Sequence, residues 1–255
     1  MHIERVAELL ERESLKRDDI TELSYEKPDP LLVASRYRDE RISLVCALFA
    51  YGNAGQIVRF LDSLDFSLLD AEDDEIRRRL DGYYYRFQKS EDIAALFIAI
   101  KRLTENGSIE EIVREGYEER GDIRDGLFRL ISRLRSAYEH DGDGYDFLIG
   151  RVPAHRERCA PYKRYMMYFR WMVRKDNLDM GLWSSIERRD LIVPLDTHTH
   201  KVSLRLGLVG RKSYDMKSAV ELTHALSKFD PDDPVRYDFA LYRIGQERLY
   251  EGEEI

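Results

Sequence analysis

The first residue that could do chemistry is Lys163, in the segment CAPYKRYMMYFRWMVRK at residues 159–175. Pro161 suits the first turn of a helix, because its missing N–H has no partner to lose there. Lys163 would then lie near the positive end of the helix dipole, which favours the neutral, nucleophilic amine. The alternative is structural. Lys163, Arg170 and Arg174 share one helix face, which also describes a solvated basic stripe over a core helix.

The second candidate is Asp196, in the segment IVPLDTHTHKVSLRLG at residues 192–207. Pro194 stops the preceding element, and Asp196 is placed to cap a helix that ends at Gly207. A carboxylate at the start of a helix can also face a cleft and stabilise a developing positive charge there. The pattern predicts the cap and leaves the second role open.

The same segment supports a rival hypothesis, because Asp196, His198 and His200 resemble the metal-binding signature of amidohydrolase-type hydrolases. Those enzymes place the histidines at the end of an early barrel strand. Here the motif begins at residue 196 of 255, so little chain follows to supply further ligands, and the preceding pattern is helical. Two histidines two residues apart on a helix also point to different faces. The sequence therefore favours a site without metal.

The third candidate segment is FDPDDPVRYDFALYRIG at residues 229–245. Asp233 followed by Pro234 is typical of a helix start. Asp238 and Tyr242 lie four residues apart and therefore share a helix face. They either close an edge of the core or line a pocket, and the spacing does not distinguish these roles.

Helices must position these residues, because the hydrophobic pattern is helical along almost the whole chain. The apolar stretch 41–51 is broken by Gly-Asn-Ala-Gly at 52–55, and a second helix is predicted from about Gln56 to Leu64. Acidic linkers are predicted near 70–75 and 141–143. Amphipathic stretches lie between them, near 91–104, 108–117 and 122–138. The sequence predicts an all-α protein of about a dozen short helices.

Composition limits the class of protein. A chain of 255 residues with 43% hydrophobic residues can build the core of one or two domains. No apolar run approaches the length that spans a membrane, and the charged N-terminus is not a signal peptide. Cys46 and Cys159 make neither a disulfide framework nor a metal knuckle, and an iron–sulfur cluster needs more ligands. We expect a monomer in the reducing cytoplasm, with no metal or organic cofactor.

The net charge of −8 argues against a nucleic-acid partner, but the charge is unevenly distributed. Between Arg151 and Lys212 there are 14 Lys/Arg and 6 Asp/Glu residues, whereas the rest of the chain has 27 and 43. A basic third can present a local cationic face to phosphate, although ordinary scatter of surface charge is the alternative. The candidates for phosphate contacts are Arg151, Arg156, Arg158 and Arg164.

Together these segments resemble the helix-hairpin-helix DNA glycosylase superfamily, which includes endonuclease III. The stretch PLDTHTHKVSLRLGL at 194–208 is similar to the superfamily phrase V-D-T-H-x-x-R-V-x-x-R-L-G-L, whose aspartate is catalytic. The hairpin phrase L-P-G-V-G-x-K is absent before Lys163, and the distance from Lys163 to Asp196 is longer than in most members. In both respects the chain is more similar to the archaeal 8-oxoguanine glycosylase branch, where the lysine also opens a helix.

The resemblance implies a helix-hairpin-helix glycosylase-like fold, with two helical subdomains and a cleft between them. The subdomains would be approximately residues 1–40 with 190–255, and residues 41–189. It also implies a base-excision-repair glycosylase and AP lyase, whose partner is DNA with a damaged base, 8-oxoguanine first. Lys163 would form the Schiff base, and Asp196 would be the catalytic carboxylate.

The resemblance further implies contacts to the flipped base. In the archaeal branch an aspartate and an aromatic residue four apart on a late helix contact that base. Asp238 and Tyr242 match them, with Tyr in place of the usual Trp. The turn at 50–57 falls where glycosylases begin the helix pair that faces DNA. Further substrate contacts are therefore expected from Tyr51, Asn53 and Gln56.

Over nearly its whole length the chain is similar to an uncharacterised prokaryotic family, known as a domain of unknown function. The marks of this family are AYGNAGQI (50–57), YKRYMMYFRWMVRKD (162–176), MGLW (180–183), VPLDTH (193–198) and RYDFALYRIG (236–245). This likeness supplies no activity. Two alternatives to the glycosylase stay open: a non-catalytic nucleic-acid-binding protein on the same fold, and a metal-dependent hydrolase that uses His198 and His200.

Overall fold

The computed structural model describes residues 3–156 and 158–247. These residues form thirteen α-helices and no β-strand, which confirms the predicted all-α class. The helices are α1 Ile3–Arg17, α2 Leu31–Tyr37, α3 Glu40–Leu48, α4 Ala54–Ser63, α5 Asp73–Leu80, α6 Ser90–Leu103, α7 Ile109–Glu118, α8 Ile123–Ala137, α9 Asp143–Ile149, α10 Lys163–Val173, α11 Thr197–Arg205, α12 Met216–Leu226 and α13 Asp238–Glu247. None of these helices is long and apolar enough to cross a lipid bilayer.

The chain divides into two compact units. The central unit is Leu23–Val152, and the terminal unit consists of the described parts of Met1–Glu22 and Pro153–Ile255. These bounds differ from the predicted ones, which grouped residues 41–189. The segment that contains α10 lies in the terminal unit instead, because the buried arginines of α10 pair with carboxylates on and before α13.

In the terminal unit, α13 packs against both α1 and α11. The approach of α11 to α13 is close at Gly245, where a Cβ atom would collide with the His198 ring and the Val202 side chain. The helix α10 is buried along almost its whole length, and the indole of Trp171 is fully enclosed. Because α10 is held in the core, the position of its first residue, Lys163, is fixed.

In the central unit, α6 is the core helix, with an unbroken buried run from Asp92 to Ile100. The neighbouring pair α7 and α8 approaches closely at two glycines. A Cβ at Gly126 would collide with the carbonyl of Val113, and one at Gly116 would collide with the carbonyl of Asp125. Close backbone approach therefore explains two glycines at helical positions, where glycine is otherwise destabilising.

Several helix starts follow directly from capping side chains. Asn53 caps α4, so the helix begins at Ala54, within the predicted break at 52–55 and two residues before the predicted start near Gln56. Asp122 caps α8 after the left-handed Gly121. The acidic segment predicted as a linker near 70–75 instead contains the first turn of α5, where carboxylates interact favourably with the helix dipole.

Candidate active site

Lys163 is the first residue of α10, and its side chain is 33% exposed. The preceding Tyr162 adopts the left-handed conformation, with φ of 47° and ψ of 42°, and turns the chain into the helix. Pro161 is buried and lies before the helix, so it does not occupy the first turn as predicted. The amine is therefore carried at the positive end of the α10 dipole.

Asp196 is the N-cap of α11, as its sequence context predicts. Its Oδ1 accepts hydrogen bonds from the backbone N–H groups of His198 at 2.9 Å and Thr199 at 2.7 Å. These two bonds hold the carboxylate in a fixed orientation. They also leave the second oxygen, Oδ2, directed away from the helix start.

That second oxygen lies 3.0 Å from the Nζ atom of Lys163. The structure thus brings together two residues that are 33 positions apart in the sequence. Burial acts to raise the pKa of Asp196, but the Lys163 charge and the Thr199 N–H outweigh it, so the pKa lies below its ordinary value. Asp196 is therefore a carboxylate at neutral pH.

Asp238 is the third charged group of this region and begins α13. It is buried and pairs with the guanidinium of Arg170. Burial raises the pKa of Asp238, against the opposing charges of Arg170 and Lys163, while Asp196 acts in the same direction as burial. Because Lys163 and Asp196 both act on it, Asp238 belongs to the same electrostatic site.

Arg170 connects this site to a buried ion network. Its Nε and Nη2 atoms donate to Asp179 Oδ1 at 3.2 and 3.1 Å. Asp179 also pairs with Arg174, which donates through Nε to Asp233 at 2.9 Å. All these side chains are buried, so Arg170 and Arg174 do not form the solvated stripe that the helical spacing also allowed. The ion pairs with Asp179 hold the Arg170 guanidinium in place, and Arg170 in turn holds the Asp238 carboxylate.

Tyr242 lies one turn after Asp238 on α13 and is partly buried. Its ring meets the ring of His198 edge to face, with centroids 6.2 Å apart. His198 lies in the first turn of α11, two positions after the cap residue Asp196. Lys163, Asp196 and Asp238 thus form one electrostatic neighbourhood, and Tyr242 contacts the first turn of α11 through His198.

Tyr214 is a further member of this neighbourhood that the sequence did not indicate. Its hydroxyl donates to the carbonyl of Leu195 at 3.0 Å, next to Asp196. Burial raises its pKa, and the charges of Asp196 and Lys163 act on it in opposite directions. It lies in an irregular segment before α12, where no periodicity marks a residue for attention. The pairing of Arg170 with Asp179 cannot be predicted from the sequence for another reason, because spacing alone does not show which carboxylate faces an arginine.

The predicted residues of the central unit have local roles. Asn53 caps α4 by accepting from the Gln56 N–H at 3.2 Å, and the side chain of Gln56 is exposed. The Tyr51 hydroxyl donates to the buried Gln88. These contacts explain the residue types locally, and a substrate role for the three residues stays a prediction.

The predicted phosphate contacts are divided between the two units, with Arg151 in the central unit and Arg156, Arg158 and Arg164 in the terminal unit. Arg151 is exposed and pairs with Asp146 at 2.5 Å. Arg158 is exposed, and Arg156 and Arg164 are partly buried. Their accessibility allows contact with an anion, and their role also stays a prediction.

The two histidines of the rival metal motif have separate surroundings. His198 is exposed beside Tyr242, whereas His200 is buried and its Nε2 lies 2.9 Å from the Arg211 carbonyl. Among residues 3–156 and 158–247, no group of three or more His, Cys, Asp or Glu side chains is arranged to hold a metal ion. The histidines are therefore not part of a recognisable ligand set.

Fold and site together define an all-α protein in which a lysine–aspartate pair stands beside a buried ion network. The chain belongs to the family described as Protein of unknown function (DUF2400), whose model matches residues 29–247. This match confirms the family likeness predicted over nearly the whole chain. No curated protein and no solved structure matches the chain. The family description names no activity, so the function must be argued from the chemistry of the site.

Proposed function

We propose that this protein is a DNA glycosylase and AP lyase of the helix-hairpin-helix type, acting on a damaged base, with 8-oxoguanine the first candidate. The observation that supports this proposal most is the 3.0 Å approach of Lys163 Nζ to Asp196 Oδ2. The glycosylase resemblance implies this pair at these positions. The two residues come from different helices, and α11 needs only one oxygen of Asp196 for its cap.

The chemistry requires a flipped nucleotide, because the bond to be broken is hidden in the base stack. As the N-glycosidic bond breaks, its electron pair leaves with the base and positive charge develops on the sugar. The fixed carboxylate of Asp196 stabilises that charge. The Lys163 amine then bonds to C1′, and ring opening gives a Schiff base from which β-elimination can release the 3′ phosphate.

The nucleophile must lose a proton before it attacks. In the ion pair with Asp196 the lysine is an ammonium, which has no lone pair for C1′. Asp196 holds its charge down to low pH because its pKa is lowered, so it is a weak base. The proton must therefore pass to the departing base or to water when substrate enters.

Asp238 and Tyr242 are proposed to contact the damaged base. A buried carboxylate can accept hydrogen bonds from N–H groups on the edge of a base, and an aromatic ring can pack against the base. Arg170 holds Asp238 in place for that contact. Replacement of the usual tryptophan by Tyr242 leaves a smaller ring, which affects base preference more than chemistry. DNA containing the damaged base is the proposed partner, and we propose a cytoplasmic monomer.

A second function is favoured by one observation. The same ion pair that places Lys163 also stabilises its protonated form, which is the state expected in a protein that binds nucleic acid without cleaving it. The metal-dependent hydrolase has less support, because His198 and His200 have separate surroundings.

The substrate is found by incubating the protein with single-stranded and duplex oligonucleotides that carry different base lesions. Release of the base and strand cleavage are measured for each, for the wild type and for Lys163→Gln. We expect the wild type to release one class of damaged base and Lys163→Gln to lose strand cleavage. Binding to DNA without base release on any lesion would support the non-catalytic protein instead.

A further inference from the structure

The central unit carries a group of aromatic side chains that are packed against one another but open to solvent. The rings of Tyr51 and Phe147 have centroids 4.7 Å apart, and those of Phe87 and Phe147 are 5.0 Å apart. Phe87 is nevertheless 45% exposed and Phe147 41% exposed. Large apolar side chains that are held in place and yet exposed in a contiguous group mark an interaction surface.

The surface is built rigidly. The backbones of Tyr85 and Gln88 bond to each other at 3.1 and 2.9 Å, which makes a tight turn with Arg86 and Phe87 at its tip. Gln88 is fully buried, accepts from the Tyr51 hydroxyl and reaches the Gly144 carbonyl at 3.4 Å. One amide side chain therefore links the segments that carry the three rings.

Two cations lie close to the rings along the chain. The Arg86 guanidinium lies over the Tyr51 ring, 5.6 Å from its centroid, and Lys89 is exposed at the start of α6. Gly52 allows this arrangement, since a Cβ there would collide with the Arg86 side chain. Neither cation has a carboxylate partner among the described residues. Within α9, Asp146 is neutralised by two arginines, which leaves Asp143 as the exposed carboxylate.

We propose that Tyr51, Arg86, Phe87 and Phe147 form a platform that binds unpaired bases of single-stranded nucleic acid. Aromatic side chains stack on bases of any sequence, and neighbouring cations hold the phosphates. A purely apolar partner would leave Arg86 and Lys89 without counter-charges. The platform goes beyond the proposed glycosylase, because it requires neither a damaged base nor Lys163.

The test is fluorescence anisotropy of a labelled, undamaged oligothymidylate with the full-length protein. Phe87→Ala should weaken binding about tenfold, and Phe87→Ala with Phe147→Ala should weaken it further. The matched control is Tyr25→Ala, because Tyr25 is 66% exposed and lies under the Arg36 guanidinium at 5.5 Å, but no other aromatic ring of the described residues packs against it. Tyr25→Ala should bind like the wild type. Circular dichroism and thermal melting check that each variant is folded.

Salt dependence separates stacking from simple charge attraction. Log affinity should fall with log salt less steeply in Arg86→Ala, by about 0.7, because one phosphate contact is lost. Phe87→Ala should leave the steepness unchanged. A heparin fragment, which has charge but no bases, should bind the wild type and Phe87→Ala equally. Unchanged oligothymidylate binding in the folded double variant would overturn the proposal. An equal loss of heparin binding in Phe87→Ala would also overturn it. The same holds if the wild type is a dimer that Phe87→Ala dissociates, because the rings would then bind a second copy of the chain.

Discussion

Asp196 uses its two oxygens for different partners. Oδ1 caps α11, and Oδ2 meets Lys163. Asparagine keeps the first function, because it is an equally good N-cap, and loses the charge on which the second depends. The substitution Asp196→Asn therefore separates the structural role of the residue from the chemical one.

We expect Asp196→Asn to slow base release by orders of magnitude while lowering the free energy of unfolding by only about 0.5–1 kcal/mol. Activity assays and urea denaturation measure the two effects. The control is Asp215→Asn, because Asp215 caps α12 through Ser218 N–H and pairs with Arg211 at 2.6 Å. Asp215→Asn should lose a similarly small amount of stability and keep full activity. Full base release by a folded Asp196→Asn would contradict the catalytic role and leave Asp196 only the cap.

The stability difference between the wild type and Asp196→Asn should depend on pH. The folded pKa of Asp196 lies below its ordinary value, so the folded state binds the proton more weakly than the unfolded chain does. The ionised carboxylate therefore stabilises the fold above about pH 4, and this contribution is lost as the pH falls through the folded pKa. Denaturation at several pH values measures it. A difference that grows toward acid pH would contradict this assignment.

Arg170 should be far more important for stability than exposed arginines. Arg170→Met leaves the buried carboxylates of Asp179 and Asp238 short of a cation, which costs about 3–5 kcal/mol. Arg211→Met is the control, because Arg211 pairs with Asp215 at the protein surface, where losing the pair should lower the free energy of unfolding only slightly. Chemical denaturation compares the two. Equal, small losses of unfolding free energy in Arg170→Met and Arg211→Met would show that water reaches the ion network around Arg170.

The sequence predicts Lys163 and Asp196 better than it predicts what surrounds them. Each lies at a recognisable helix start, where local pattern is informative. Arg170 was assigned to a face but not to a partner, since Asp179 and Asp238 reach it through tertiary packing. A helical spacing shows which residues share a face and does not show what packs opposite.

At the scale of helices, too, the sequence predicts local features and does not predict what packs against them. Caps and breaks locate starts such as that of α4 at Asn53, because they are local hydrogen bonds. The assignment of α10 to the terminal unit depends on long-range ion pairs, so the predicted subdomain bounds differed. The acidic residues at the start of α5 looked like a linker, because charge at a helix start and charge in a loop have the same composition.

The close approach of α7 and α8 gives a prediction at this scale. Gly126→Ala should destabilise the central unit by about 1–3 kcal/mol, although alanine is the better helix former, because the new methyl group meets the Val113 backbone. Gly55→Ala in α4 is the control, since a Cβ there meets only ordinary contacts, and it should be neutral or slightly stabilising. Thermal denaturation measures both. A stabilised Gly126→Ala would contradict the packing described for α7 and α8.

At the scale of the whole molecule, the charge between Arg151 and Lys212 is less available than its count indicates. Arg170 and Arg174 are buried in ion pairs, so they cannot contact a phosphate. The exposed and partly exposed arginines of the same stretch remain for that purpose. An acidic protein that binds DNA must use few contacts, and its affinity should be sensitive to salt.

If four arginines each contact one phosphate, log affinity for duplex DNA should fall against log salt with a slope of about −3.6. The four are Arg151, Arg156, Arg158 and Arg164. Arg158→Gln should reduce the steepness by about 0.9, because this exposed side chain makes no ion pair with the described residues. Anisotropy titrations at several salt concentrations measure the slope. Binding that does not change with salt would contradict a phosphate-contacting role for these residues.

The most direct test of the account is covalent trapping with borohydride on an 8-oxoguanine oligonucleotide, followed by mass spectrometry of the adduct. Three proteins are compared: the wild type, Lys163→Gln, and Lys217→Gln as control, because Lys217, like Lys163, lies in the first turn of its helix. The account predicts an adduct on Lys163 in the wild type and in Lys217→Gln, and none in Lys163→Gln. An adduct that persists in Lys163→Gln would contradict it.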